Sequence, residues 1–87
     1  MAVVEIYTTH ICPYCIMAKD LLEDKGVEYA EIRVDKDSGR IAEAVERSGG
    51  RKTVPQIFID NVHVGGYDEL NALDREGRLD EMLAKGS

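Results

Sequence analysis

The 87-residue chain reads as an α/β protein: one four-stranded mixed sheet with helices on both faces, in the order β-α-β-α-β-β-α. Three observations lead there. Residues 2–8 and 27–34 are short apolar segments separated by a stretch with helical spacing, the pattern of a βαβ unit whose strands run parallel. Residues 56–64 hold two short apolar runs on either side of Asp60-Asn61, the pattern of a tight hairpin. Gly65-Gly66 then breaks the strand, and Asp68 and Glu69 fall in the first turn of another helical pattern.

Ala2 to Thr8 is β-branched and aromatic and suits a central strand. A loop, Thr8-Thr9-His10-Ile11, leads to a helix from Pro13 to about Lys25, ended by Gly26. Cys15, Ala18 and Leu22 form its inward stripe, with Leu21 and Met17 beside it and Met17 as core filler. Val27 to Val34 is the second strand. Asp35 to Gly39 is a turn with Asp37 or Ser38 as N-cap. The second helix runs to about Ser48, with Ile41, Ala44 and Val45 inward and Glu43–Arg47 as an i,i+4 pair. Gly49-Gly50-Arg51-Lys52 is a basic loop. After the hairpin, a third helix turns Leu70 and Leu73 inward and ends near Gly77, and Leu79, Met82 and Leu83 suggest a short last helix. No repeat, linker or low-complexity tract divides residues 1–87, which read as a single domain.

Both cysteines lie in Cys12-Pro13-Tyr14-Cys15, between the first strand and its helix. Cys12 falls at the N-cap, and Pro13 at the first helical position, where a missing N–H is harmless. The N–H groups of Tyr14 and Cys15 would point at the Cys12 sulfur, and together with the helix dipole they favour its thiolate. Cys12 therefore reads as a nucleophile and Cys15 as the resolving thiol. A bridge between them closes too small a loop to act as a structural staple. The parallel strands would carry this dithiol at their carboxyl edge, where such sheets bind ligands.

The net charge of −6 argues against nucleic acid or an anionic membrane as partner. No apolar run has the length of a membrane span. Met1 to Glu5 has no basic leader and no cleavage signal, so a cytoplasmic location is expected. His10, Cys12, Cys15 and His63 could supply four zinc ligands on paper, but nothing in the sequence brings His63 near the others, and no metal is assigned. Both histidines also have plainer readings, His10 as a solvated loop residue and His63 as a half-exposed strand residue.

Three segments resemble the glutaredoxin family, in its dithiol class and most closely its small bacterial members. They are Cys12-Pro13-Tyr14-Cys15, the run Thr53-Val54-Pro55-Gln56-Ile57-Phe58-Ile59, and Gly65-Gly66-Tyr67-Asp68-Glu69-Leu70. Their order and spacing agree over nearly the whole chain. The resemblance implies a thioredoxin-like fold, no tightly bound cofactor, and glutathione as co-substrate for reducing protein disulfides and protein–glutathione mixed disulfides. It also implies a cis Val54–Pro55 bond and a monomer.

By the same resemblance, glutathione would lie across Tyr14, Thr53, Val54, Pro55, Gly66, Tyr67 and Asp68. Its sulfur would meet Cys12, its backbone would pair with Val54 as an added strand, and its γ-glutamyl end would meet Tyr67 and Asp68. Tyr14 is equally readable as a simple exposed aromatic lip. Two other readings stay open. In one, paired chains share an iron–sulfur cluster, although cluster-binding relatives tend to carry Gly or Ser where Pro13 stands. In the other, the chain is a thioredoxin-like reductase served by a flavin enzyme, although thioredoxins carry Gly-Pro between the cysteines and a preceding Trp, and this chain has no Trp.

The chain also departs from the family. Glutaredoxins commonly place a Lys three residues before the nucleophile, and here that position is Thr9. The loop Gly49-Gly50-Arg51-Lys52 is one residue longer than its counterpart. Arg40, Arg51 and Lys52 are therefore the candidates to contact a glutathione carboxylate in place of that Lys.

Overall fold

The computed structural model describes residues 2–85, with Lys85 described by its backbone alone. The elements are β1 (Val4–Thr8), α1 (Pro13–Asp24), β2 (Ala30–Arg33), α2 (Gly39–Arg47), β3 (Gln56–Ile59), β4 (Val62–Gly65), α3 (Tyr67–Arg75) and α4 (Arg78–Lys85). The four strands form one sheet in the order β2-β1-β3-β4. β1 runs parallel to β2 and antiparallel to β3, and β3 and β4 form an antiparallel hairpin with a register shift between Ile57 and Phe58. The sequence expectation of a mixed four-stranded α/β sheet holds, including the short last helix.

The alternation of β1 and β3 divides the core in two. Val4 and Ile6 of β1, with Ile57 and Ile59 of β3, face a layer made by Ala18 and Leu22 of α1, Leu70 of α3 and Leu79 of α4. On the opposite face, Tyr7 and Phe58 pack with Val34, just past β2, and with Ala44 of α2. The hairpin closes on Asp60 and Asn61, both at positive φ (51° and 67°), the conformation that a two-residue hairpin turn requires and that these residue types tolerate.

Several elements differ from the sequence reading. β1 starts at Val4 and β2 spans only Ala30–Arg33, because pairing exists only where the two strands run side by side; Val27 and Tyr29 pack on the core without joining the ladder. Met17 is not core filler: it is 44% exposed, because Cys15, Ala18 and Leu22 already take the face that meets the sheet. In α2, Ile41 is turned outward at 48% exposure. The helix docks through the small Ala44 and, beside it, through two charged residues. Tyr7 donates its hydroxyl to Glu43, Arg47 Nη1 donates to the Tyr7 oxygen at 2.7 Å, and Arg47 Nη2 pairs with Glu5 at 2.9 Å. The Glu43–Arg47 pair is thus replaced by separate contacts that meet at Tyr7. Asp37 supplies the first-turn contact of α2, its carboxylate accepting from Gly39 N–H at 3.1 Å, while Ser38 makes no side-chain cap.

Candidate active site

The loop from β1 to α1 is pinned before it reaches the cysteines. Asp35, just past β2, accepts the His10 N–H at 3.1 Å and holds Arg33 through two hydrogen bonds of 2.8 and 2.7 Å. The Arg33 guanidinium, helped by the His10 N–H, keeps the Asp35 carboxyl well below the usual carboxylate range. Cys12 is the N-cap of α1, with an extended backbone, and its sulfur accepts from Cys15 N–H at 3.2 Å. Of the two N–H groups expected there, only that of Cys15 makes this bond. Cys12 and Cys15 are joined as a disulfide. Cys12 is 8% exposed and Cys15 1%, so Cys12 is the sulfur an incoming group can reach. Its Sγ lies 3.8 Å from the carbonyl oxygen of Val54.

Beside this disulfide runs an open groove of about 190 Å³. Tyr14, Thr53, Val54 and Pro55 form one wall, Gly66, Tyr67, Asp68 and Glu69 the other, and Arg51 borders it. Val54–Pro55 is cis, as expected. Thr53 is braced from behind. Gln56, 1% exposed, donates its side-chain amide to Thr53 O at 3.0 Å and Oγ1 at 3.3 Å. The Gln56 oxygen lies 2.7 Å from His63 Nε2, and since that oxygen can only accept, the His63 proton is on Nε2. Burial, reinforced by nearby Arg51, holds the His63 pKa below its ordinary value.

The second wall is the start of α3. Gly65 sits at φ +121°, a left-handed conformation, and a side chain there would run into the Glu69 carboxylate. Glu69 Oε1 accepts from Gly66 N–H at 2.8 Å and from Arg51 Nη1 at 2.6 Å. The Gly66 bond first, and Arg51 second, lower the Glu69 pKa. The N–H groups of Tyr67 and Asp68, in the first turn, have no intrahelical acceptor. The Tyr14 and Tyr67 rings lie 6.3 Å apart across the groove.

The fold thus gathers Tyr14, Thr53, Val54, Pro55, Gly66, Tyr67, Asp68 and Arg51 around one groove. It does not bring in Arg40, whose guanidinium pairs with Glu43 at 2.8 Å on α2, and Lys52 lies outside the groove lining. His63 is committed to Gln56, and no group of three or more His, Cys, Asp or Glu among the described residues is arranged to hold a metal ion. Sequence reasoning missed Glu69 as a groove residue. The signal was its position three residues after Gly66, the spacing at which a Glu side chain reaches back to the helix N-cap. Ile11 and Tyr14, 86% and 59% exposed, form an apolar lip beside the disulfide.

The comparisons with known proteins agree with this geometry. A family model described as Glutaredoxin matches residues 4–64. Glutaredoxin 3 of Escherichia coli K12 is 54% identical over 83 residues, covering 95% of this chain and 99% of that protein. Glutaredoxin 1 of Rickettsia felis is 57% identical over 79 residues, covering 90% and 78%. Among solved structures, the buckwheat glutaredoxin–glutathione complex matches with a TM-score of 0.88 at 29% identity, covering 97% of this chain and 78% of that one.

Proposed function

The chain belongs to the glutaredoxin family, and on that premise we propose that Cys12 and Cys15 reduce protein disulfides and protein–glutathione mixed disulfides, with glutathione as electron donor. The observation that carries this reading is the groove from Tyr14 and Val54 to the opening of α3, with the Cys12 sulfur 3.8 Å from the Val54 carbonyl oxygen. It has the parts an extended tripeptide needs. Val54 offers main-chain groups for strand-like pairing beside the reactive sulfur. The free N–H groups of Tyr67 and Asp68 at a helix N-terminus suit an α-carboxylate. The Asp68 carboxylate suits the neighbouring α-ammonium, and Arg51 a second carboxylate. The buckwheat relative is described as a glutathione complex, which supports the same ligand for this groove.

In the reduced protein, the Cys15 N–H and the helix dipole favour Cys12 as thiolate. With a glutathionylated protein, Cys12 attacks the glutathione sulfur. The S–S bond of the substrate breaks, its thiolate leaves, and a Cys12–glutathione disulfide forms. A second glutathione thiolate attacks that disulfide, releasing oxidised glutathione and restoring Cys12. With a protein disulfide, Cys12 forms a mixed disulfide with one substrate sulfur, and Cys15 attacks Cys12 to release the reduced substrate. The resulting Cys12–Cys15 disulfide then takes two electrons from two glutathiones. The chain is read as one domain, 1–87, acting as a cytoplasmic monomer; among the described residues no helix is long and apolar enough to cross a membrane.

The test supplies a glutathionylated protein and glutathione, and follows oxidised glutathione through NADPH and glutathione reductase. The expected result is turnover proportional to this protein and dependent on Cys12. Turnover with a flavin-dependent thioredoxin reductase but none with glutathione would overturn the reading.

A further inference from the structure

We propose that Glu69 sets how strongly the groove prefers anionic ligands, acting through Arg51 as a positioning residue. This rests on the glutathione reading above. Arg51 is the groove cation, yet its Nη1 is 2.6 Å from Glu69 Oε1, and the two side chains are comparably exposed, at 43% and 42%. The same oxygen takes the Gly66 N–H at 2.8 Å. Glu69 therefore anchors to the backbone at the start of α3 and holds Arg51 against that wall. The pair lies close over Gly66: a Cβ there would be in ordinary contact with Arg51 Nη2 and Glu69 Oε1, each at 3.7 Å.

Two consequences oppose one another. Glu69 orders a long side chain that would otherwise sample solvent, and it also neutralises the charge that a ligand carboxylate would seek. For an exposed pair the ordering is weak and the charge competition dominates, because a carboxylate entering the groove must displace Glu69 or share Arg51 with it. His63 is engaged elsewhere, its Nε2 lying 2.7 Å from the Gln56 oxygen. Glu69→Gln keeps a side-chain oxygen for Gly66 N–H while removing the competing negative charge. The Arg51 charge then becomes available to the ligand.

The experiment measures kcat/KM for glutathione and for uncharged 2-mercaptoethanol as reductants of the Cys12–glutathione adduct. Wild type, Glu69→Gln, Arg51→Gln and the double variant are compared, with thermal unfolding to compare their folded states. Glu69→Gln raises the glutathione-to-mercaptoethanol ratio about two- to fivefold, mostly through KM, and Arg51→Gln lowers it. The double variant behaves like Arg51→Gln. Opposite signs from the two ends of one ion pair are a signature that general loosening of the groove would not produce. Loss of preference in both single variants, or a Glu69→Gln effect that persists without Arg51, overturns the assignment. Wild type alone tests the functional reading, since it either uses glutathione or does not.

Discussion

The guanidinium of Arg47 lies 4.0 Å over the ring of Phe58, joining the end of α2 to the centre of β3. The same group pairs with Glu5 and hydrogen-bonds to Tyr7 and Asn61, so one side chain ties α2 to β1, β3 and the hairpin turn. Since Ile41 faces outward and only the small Ala44 of α2 is fully packed in the core, this contact is a main anchor of the helix. Arg47→Ala is expected to destabilise the fold by about 1–3 kcal/mol, combining lost stacking with an unpaired Glu5. Arg47→Lys recovers less than half, because a point ammonium cannot stack and fork at once. Urea midpoints with unchanged m-values check this; equal stability of the Lys variant and wild type would refute it.

A second expectation concerns pH. Burial, and then the Arg51 charge, keep the folded His63 pKa below its unfolded value of about 6.5. Below that value the unfolded chain binds a proton that the folded chain resists, so stability falls as pH drops from about 7 toward 5. The carboxylates of Glu69, Glu43 and Asp35, all lowered in the fold, act separately and further down. Their contribution is present above about 4.5 and is lost only as pH falls below that. Replacing His63 with Gln is expected to flatten the slope between pH 7 and 5 while leaving the acid transition in place. Equal slopes in denaturant titrations of the two proteins would count against it.

The two cysteines divide the chemistry by exposure. Cys12→Ser is expected to abolish all exchange. Cys15→Ser retains removal of glutathione from mixed disulfides, since glutathione itself resolves the Cys12 adduct, but fails on protein disulfides that need an internal resolving thiol. The check is to assay both substrates with each variant; equal loss of the two activities in Cys15→Ser would remove the distinction.

Much of this site was legible in the sequence because its signals are local. Pro13 after Cys12 marks a helix start, Asp60-Asn61 marks a hairpin turn, and Gly65-Gly66 before an acidic pair marks another helix start. What was not legible depends on how elements rotate against the sheet. Apolar spacing placed Ile41 inward, but Tyr7 offers a hydroxyl on that face, and α2 turns to bring Glu43 and Arg47 to it. The same limit hid the braces behind the groove. Gln56 and His63 sit seven residues apart on different strands, and only the bulged pairing of β3 with β4 brings them together to hold Thr53. Glu69 and Arg51 lie eighteen residues apart and meet only when α3 packs beside the basic loop.

The last prediction concerns Thr9, which stands where glutaredoxins commonly carry a Lys. Of the three basic residues that could replace that charge, Arg40 is paired with Glu43, and Lys52 lies outside the groove lining. Arg51 alone borders the groove, and it is shared with Glu69. Arg51→Ala is therefore expected to raise the KM for glutathione severalfold, while Lys52→Ala and Arg40→Ala change it by less than about twofold. Thr9→Lys adds a cation on the loop before Cys12 and should lower that KM. Its effect is limited to about 0.3–1 kcal/mol because solvent and salt screen an exposed charge. If Arg51 and the new Lys reach the same carboxylate, Arg51→Ala weakens binding less in the Thr9→Lys background than in the natural one. Each effect should shrink between low and 0.5 M salt. Michaelis constants for the four combinations of Thr9→Lys and Arg51→Ala make the double-mutant cycle. Strictly additive values would show that Arg51 does not serve the place left empty by Thr9.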